Sequence, residues 1–385
     1  MKTILMISPF FSPNVGGVET HLDDLVAFLA GKYRLLVATY KPLTSPNIAT
    51  PIKEQRKNLL IYRLPWLRGK YFYLFEKNPL VQFLYLFPGI FIVSCFLLIK
   101  QFGRIKIIHG HGLAALLVTV VLGKIFAKKS VVSLHTIYKF KDNRKLARIV
   151  RPFLLAVDKI LILAKAGKDD LVAIGIPAEK IAFYTNWVDV KKVFTPTDKN
   201  KTRQKLGLPQ EKTIFLFVGR FSPEKGVGEV LKIISLLKRK DAFFVLVGDG
   251  PLKPQADIVR EKHPDLVRLE GLVKPVDLPA YYQAADFLIW ASVDQDYFGR
   301  VPMGALACGL PVLVPTKTAY FGKWEKVTVE FPEGKIGYWI DPDPVKAAVK
   351  IDELQKKDLS KTSRQYALTH FSSQNGEIFL TAYGD

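Results

Sequence analysis

A chain of 385 residues is longer than one ordinary hydrophobic core can serve, so two domains are expected. Its 49% hydrophobic and 24% charged residues describe a globular protein, and two cysteines, Cys95 and Cys308, exclude a disulfide framework and offer no zinc spacing. The net charge of +21 is lopsided: residues 1–190 hold 27 Lys/Arg against 11 Asp/Glu, a net of +16, which calls for a polyanionic partner such as nucleic acid, acidic lipid headgroups or a phosphorylated substrate.

The chain begins MKTILMISPFFSP, read as a buried strand (Ile4–Ser8) and a turn. The apolar run is too short for a signal peptide, so a cytosolic, reducing environment is expected. The loop from Pro9 to Gly17 ends in Gly16-Gly17 and leads into a helix with Leu22, Leu25, Val26 and Leu29 at helical spacing. Such a loop lets a ligand approach the positive end of that helix, although a lone Gly-Gly is more often a plain turn. Leu35–Tyr40 and Leu59–Leu64 read as further strands.

Asn78 to Ile99 is a run of 22 uncharged residues between Lys77 and Lys100. Its length alone qualifies it to span a membrane. The strands on either side belong to one sheet, however, and a single span would split that sheet; Pro88-Gly89 also interrupts a straight helix. The run therefore reads as a bent helical segment, part core and part membrane-facing, with a wholly buried helix as the competing reading. Beyond it Ile105–His109, Val131–His135 and Lys159–Leu163 alternate as strands with helices Leu113–Phe126 and Arg144–Ala156. Alternation of this kind means a parallel sheet covered on both faces.

Residues 191–212 are polar and lysine-rich with Pro196 and Pro209, and read as an interdomain linker. Then TIFLFVGRFSPEKG places a buried strand (Ile214–Val218) before Gly219, Arg220 and Lys225, with a helix after Gly226. Two cations in a glycine turn at the carboxyl end of a parallel strand suit a diphosphate; two solvated loop cations are the plainer alternative. Further on, Asp294-Gln295-Asp296-Tyr297-Phe298-Gly299 precedes a helix opened by Arg300-Val301-Pro302. Free amides of Phe298, Gly299 and Arg300 would face an anion there, with Asp296 as an acceptor for hydroxyl groups. The fold class is α/β: two doubly wound, Rossmann-like domains facing a cleft. The first is residues 1–190 and the second is 213–365, with 366–385 a helix returning to the first.

VGRFSPEKG, GDGPL, DLPAYYQAADFLIWAS and DYFGRVPMGALACGLPV, with FFSPNVGGVETHLDDL, IIHGHG, VVSLHT and NWVD before them, resemble the ordered motifs of the retaining group 1, family four glycosyltransferases of GT-B fold. The resemblance implies that Arg220 and Lys225 hold the donor diphosphate, with Gly219 ending the strand before them. It puts Gly16 and Gly17 in a loop closing near that group, His111 near the donor sugar, and Asp296 on sugar hydroxyls. Phe298, Gly299 and Arg300 give backbone donors, while Asn186 and Asp189 are structural. It further implies a nucleotide-sugar co-substrate without cofactor or metal, a lipid-linked or cell-envelope glycan acceptor, and a peripheral place on an anionic inner membrane face.

Three departures stand out. The family's second glutamate, which bonds the nucleotide ribose, is Gly304; a glycine of the Asn-Gly-Val-Asp segment is Trp187; and a Gly-Gly-x-x-Glu stretch is reduced to Phe321-Gly322-Lys323-Trp324-Glu325. Gly304 is expected one turn inside its helix on the side facing the phosphate turn, where a restored glutamate would tighten nucleotide binding. The competing readings are a metal-binding Asp294-x-Asp296, a metal on His109, His111 and His135, a GT-B epimerase, a nucleic-acid binder, and a degenerate sugar-binding scaffold at the membrane. No nucleic-acid motif accompanies the basic charge, and no nucleophile elbow supports a hydrolase.

Overall fold

The computed structural model describes residues 1–14, 16–44, 47–67, 69–75, 79–136, 138–163, 165–292, 299–315, 331–355 and 357–384. The chain divides into two compact units, Met1–Thr185 with Asn375–Asp385, and Asn186–Gln374.

The first unit runs β1 (Thr3–Ile7), α1 (Gly17–Leu29), β2 (Arg34–Tyr40), β3 (Lys53–Arg56), β4 (Leu59–Leu64), α2 (Lys70–Phe75), α3 (Pro79–Lys100), β5 (Ile105–His111), α4 (Leu113–Ile125), β6 (Lys129–Leu134), α5 (Arg144–Ala156), β7 (Lys159–Ile162), α6 (Lys165–Ala173) and β8 (Ile181–Phe183). Its sheet has the order β3-β4-β2-β1-β5-β6-β7-β8, parallel except for β3. The order reverses between β1 and β5, so their carboxyl ends flank a topological switch point. Strands β1 and β2 are apolar at nearly every position because helices cover both faces; β3, Lys-Glu-Gln-Arg, is a polar antiparallel edge that gives no strand signal in the sequence.

The apolar run forms α3. It joins β4 to β5, two strands of one sheet, so it does not cross a membrane in this fold. Pro88 interrupts its hydrogen-bond ladder, and the Tyr40 hydroxyl enters there: it donates to Leu86 O and accepts from Ile90 N at 2.7 Å. A Cβ at Gly89 would lie 2.7 Å from the Tyr40 ring, so glycine makes that approach possible.

The second unit runs α7 (Lys199–Leu206), β9 (Thr213–Val218), α8 (Val227–Leu236), β10 (Ala242–Val247), α9 (Lys253–Lys262), β11 (Val267–Gly271), α10 (Leu278–Ala284), β12 (Phe287–Ile289), α11 (Arg300–Ala307), β13 (Val312–Pro315), β14 (Gly337–Ile340), α12 (Pro344–Glu353) and α13 (Ser360–His370). The sheet order β11-β10-β9-β12-β13-β14 is parallel throughout and reverses between β9 and β12. Along β9, Ile214 and Leu216 face one core while Phe215 and Phe217 face the other, the period of two expected of a strand buried on both sides. Phe215 stacks on Phe244 and Phe287, its neighbours on β10 and β12.

The expected boundaries shift. The division falls after Thr185 rather than at 190, and the segment belonging to the first unit begins at Asn375 rather than 366, carrying α14 (Glu377–Tyr383); α13 stays in the second unit. Residues 191–212 are no free linker. They contain α7, capped by Asp198 and by left-handed Gly207, whose Arg203 is buried against α10 and β12. Arg203 Nε donates to Ala284 O at 2.8 Å and Nη2 meets Asp286 Oδ2 at 2.6 Å, while Asp286 also accepts from Ile214 N at 2.8 Å and Lys199 Nζ at 3.0 Å. Burial pushes the Asp286 carboxyl up, but Lys199, the Ile214 amide and Arg203 together hold it below its ordinary value. The polar composition that suggests a linker reflects charges satisfied internally.

Arg203→Met should therefore lower unfolding stability by roughly 3 kcal/mol in urea denaturation, because it strips a partner from a carboxylate shielded from water. An unchanged midpoint would mean that α7 is not fastened to the sheet through this pair.

Candidate functional site

In the second unit, three successive loops meet at the carboxyl ends of β10, β9 and β12. Gly248 has φ +144, and a Cβ there would lie 1.8 Å from Gly219 O; Gly226 has φ +73, and its Cβ would lie 2.0 Å from Ala291 O. Backbone thus rests on backbone on both sides of the turn that follows β9. Phe221 N donates to Asp249 O at 2.9 Å, Leu252 N to Phe221 O at 2.8 Å, and Ser292 Oγ to Glu224 O at 3.1 Å. The turn carrying Gly219, Arg220 and Lys225 is fixed from both neighbours, at the sheet's switch point.

Arg220 is exposed and makes no ion pair among the described residues, whereas Lys225 is half-buried. Between them lies Glu224, which sequence reasoning passed over. Ser222 Oγ donates to its Oε1 at 2.5 Å, and that bond, followed by the fields of Arg220 and Lys225, holds the carboxyl below its ordinary value. The turn is a positive concavity with one ionised carboxylate as an internal brace.

Asp296 and Phe298, and the stretch Phe321 to Glu325, lie outside the described residues. Gly299 is the extended N-cap of α11, without a side-chain cap. The first intrahelical bond is Met303 N to Gly299 O at 3.3 Å, so the amides of Arg300 and Val301 lie ahead of that ladder at the positive end of α11, and Pro302 has none to offer. The Arg300 guanidinium turns away from that end and donates to Trp187 O at 2.7 Å. Asp189 is structural: its Oδ1 accepts from the amides of Lys191 and Lys192.

Gly304 corrects an expectation. A Cβ there points at Phe194, 3.0 Å from its Cε1, and at Tyr282, 3.1 Å from its Cε2, within the buried face of α11. It does not open toward the phosphate turn. Phe194 is held in place from behind, since Arg364 donates to Phe194 O at 2.7 Å and to Ala307 O at 2.6 Å.

In the first unit, Gly16 and Gly17 follow β1 and His111 ends β5, on the two sides of that sheet's switch point. A Cβ at Gly16 would lie 2.3 Å from the end of the Glu19 side chain, which would have to shift; Gly17 faces open space. Glu19 is buried, and desolvation raises its carboxyl pKa. His111 belongs to a buried cluster. Its Nδ1 lies 3.3 Å from His135 Nε2, and His135 Nδ1 meets the Tyr184 hydroxyl at 3.1 Å. His109 bonds the Tyr383 hydroxyl at 2.7 Å and Ser133 Oγ at 2.8 Å, while His21 stacks on Tyr184. His21, Tyr184 and Tyr383 are members that sequence order did not reveal.

Burial, then neighbouring imidazoles, lowers these histidines: His109 to about 3, His135 to about 4 by burial alone, and His111 well below 6.5. All are neutral near pH 7. His111 offers a neutral ring whose Nε2 has no hydrogen-bond partner among the described residues. Stacked rings do not converge on a point, and among the described residues no group of three or more His, Cys, Asp or Glu could hold a metal.

Comparison with known proteins agrees with this geometry. The profile "Glycosyltransferase Family 4" matches residues 15–192 and "Glycosyl transferases group 1" matches residues 198–367. The chain belongs to the group 1 glycosyltransferases. Among curated relatives, the GPI3 subunit of the Saccharomyces cerevisiae phosphatidylinositol N-acetylglucosaminyltransferase is 22% identical over 84% of this chain and 72% of its own. The alpha-monoglucosyldiacylglycerol synthase of Acholeplasma laidlawii is 28% identical over 41% of this chain and 38% of its own. Sucrose-phosphate synthase from Thermosynechococcus elongatus superposes with a TM-score of 0.76 at 20% identity, covering 99% and 98% of the two chains. Anabaena HepE, solved in complex with UDP, superposes with 0.71 at 20% identity and 99% of each chain. The architecture is therefore GT-B.

Two predictions follow from the packing and the protonation states. Gly304→Glu should destabilise the fold by at least about 2 kcal/mol in urea, since a carboxylate must displace Phe194 or Tyr282, and it should not tighten UDP measured by calorimetry. A variant of parental stability with tighter UDP would show that the space is open after all. The histidines are protonated below 6.5 only in the unfolded chain, so stability is full above 6.5 and falls as pH drops from there toward about 4 and about 3. The loss is about 1.4 kcal/mol per pH unit for each such group. His109→Gln should flatten this acid limb in a plot of Tm against pH; an identical limb would place the titration elsewhere.

Proposed function

We propose that this protein is a retaining glycosyltransferase that moves a sugar from a nucleotide-diphosphate donor to a lipid-linked or cell-envelope glycan acceptor, without a metal, at the inner face of the cell membrane. The observation that carries the reading is the braced Arg220–Lys225 turn at the switch point after β9, shaped for a diphosphate. The guanidinium grips two oxygens, the ammonium adds a point charge, and the positive end of the helix that follows the adjacent strand adds its own field. Together they stabilise the charge that develops on the leaving diphosphate. No protein nucleophile is assigned, and transfer on the same face needs none. His111, neutral and with Nε2 free to bond, suits a sugar hydroxyl better than it suits proton transfer at pH 7. Asp296 is assigned to sugar hydroxyls on the family resemblance alone.

The acceptor class is supported by the relatives, since phosphatidylinositol and diacylglycerol appear in the names of the yeast and Acholeplasma enzymes. The competing reading, a catalytically degenerate scaffold, draws on Gly304, where an aromatic cluster occupies the place of the family's ribose-binding acid.

Arg220→Ala and Lys225→Ala should each reduce donor hydrolysis or transfer by at least about tenfold, because a charge-assisted hydrogen bond contributes roughly 1.5–3 kcal/mol. Both should keep the parental Tm, and UDP-, GDP- and ADP-sugars should be screened by thermal shift. Unchanged kinetics in both variants removes the turn from the active site. If no nucleotide sugar binds the parent, the scaffold reading takes its place.

A further inference from the structure

The feature that the catalytic reading leaves unexplained is the outer face of α3. One side of this helix is core: Leu86, Ile90, Val93, Leu97 and Leu98 are buried with β1, β2 and β5. The other side repeats at helical spacing and stays in solvent, with Leu84 at 60%, Ile92 at 59%, Phe96 at 50% and Ile99 at 66% exposure. Pro88 lies on the same stripe. Twenty-two residues at 1.5 Å each make this a strip about 33 Å long without a charge until Lys100. A stripe of that length exceeds the scattered apolar residues of an ordinary surface.

The surroundings are basic. From Asn58 to Lys141 the sequence holds twelve Lys/Arg against one acidic residue, Glu76. Cations sit on aromatic rings beside the stripe: Lys100 Nζ lies 5.4 Å from the Phe96 centroid and Lys128 Nζ 4.2 Å from that of Phe102, which is itself exposed. Helix α4 packs against α3, presenting exposed Lys124 and Ile125, and on its other side α5 exposes Arg144, Lys145 and Arg148. Among the described residues none of these six cations is in an ion pair with a carboxylate. Apolar side chains flanked by lysine and aromatic rings match the layering of an anionic bilayer surface, with acyl chains beneath phosphate. A protein partner would have to supply acidic side chains around an apolar strip, and a second copy of this basic face would repel itself.

We propose that the exposed stripe of α3, with Lys100, Lys124 and Lys128 around it, is the surface on which this protein seats in an anionic lipid membrane, the helix lying in the interface plane rather than crossing it. The topology requires the second half of that statement, because β4 and β5 on either side of α3 share one sheet. This rests on the proposed function only for its purpose, which is to hold the enzyme where a lipid-linked acceptor resides.

The test is flotation of the full chain with phosphatidylcholine vesicles, with and without phosphatidylglycerol, at low and high salt. Binding is expected to the anionic vesicles and to weaken with salt. Ile92→Glu/Phe96→Glu should weaken it by at least about tenfold, and Lys100→Gln/Lys128→Gln by about tenfold or more, the latter at about fivefold per lysine. Both variants should keep the parental Tm and donor hydrolysis. Because Lys100 is exposed and Lys128 only half-buried, that variant carries the test should the α3 variant lose its fold. The proposal fails if the parent binds neither vesicle, if binding ignores both double variants, or if light scattering shows a dimer that Ile92→Glu/Phe96→Glu dissociates. A parent protein that hydrolyses donor but floats with neither vesicle overturns this surface and leaves the enzyme; a parent that docks but hydrolyses no donor does the reverse.

Discussion

Close approach of backbone to backbone at the end of β9 is the constraint on which the carboxyl end of the second unit's sheet depends. A side chain at Gly226 or Gly248 would stand inside the van der Waals radius of a carbonyl oxygen from the next loop, so any other residue pushes the three loops apart. With glycine there, Gly219 O sits under Gly248 and Ala291 O under Gly226, and the intervening turn has no freedom to choose its shape. Arg220 and Lys225 are thereby presented by a rigid frame instead of a mobile loop, which limits the reorganisation that binding a diphosphate requires. The Ser222–Glu224 bond acts within that frame, fixing a carboxylate between two cations that would otherwise repel.

The first unit solves a related problem by burial. Its switch point is lined by glycine at the start of α1 and by histidine at the end of β5; His109 is buried against Phe379 and Tyr383, and half-buried His135 meets Tyr184. Two of these partners come from α14, the segment of the chain that returns from the second unit. Low dielectric keeps the rings neutral, so they hydrogen-bond one another without charge repulsion, and among the described residues one nitrogen of His111 has no hydrogen-bond partner. The same burial makes the cluster sensitive to acid, which couples the packing of the terminal helix to the protonation of residues on β5 and β6.

The parallel strands and most helices were legible because both faces of each sheet are covered, which leaves apolar runs such as TILMI and TIFLFV that admit little else. β3 and β14 were missed for opposite reasons. The first is a polar edge that pairs through backbone alone, and the second, Gly337–Ile340, begins at a glycine whose Cβ would meet Val312 O at 1.8 Å. The turn after β9 stood out because its pattern is local, eight residues from Gly219 to Gly226 holding two cations and two glycines. The histidine cluster was only half legible: His109, His111 and His135 lie at strand ends, but His109 pairs with Tyr383 across 274 positions, and nothing local announces that. The segment 191–212 misled because lysines and prolines look like a linker until Arg203 finds Asp286.

The departures at Trp187 and Gly304 become one feature when the contacts are followed. Phe194 packs its ring over Gly304, and its carbonyl is held by Arg364, which also bonds Ala307 O at the far end of the same helix and Val190 O at the start of the turn. At the near end of α11, Arg300 reaches Trp187 O, three residues before Val190. The stretch from Trp187 to Phe194 is thus clipped to both ends of α11, with an aromatic ring filling the middle where an acidic stem would otherwise pass. Glycine at 304 costs about 1 kcal/mol of helix propensity relative to alanine, and the ring it admits offsets that by burial. Restoring the acid alone would not restore a ribose contact, because the clipped stretch would have to move with it. Position 304 is packed by Phe194 and Tyr282, and no space is left there for a side chain of any kind without moving one of those rings.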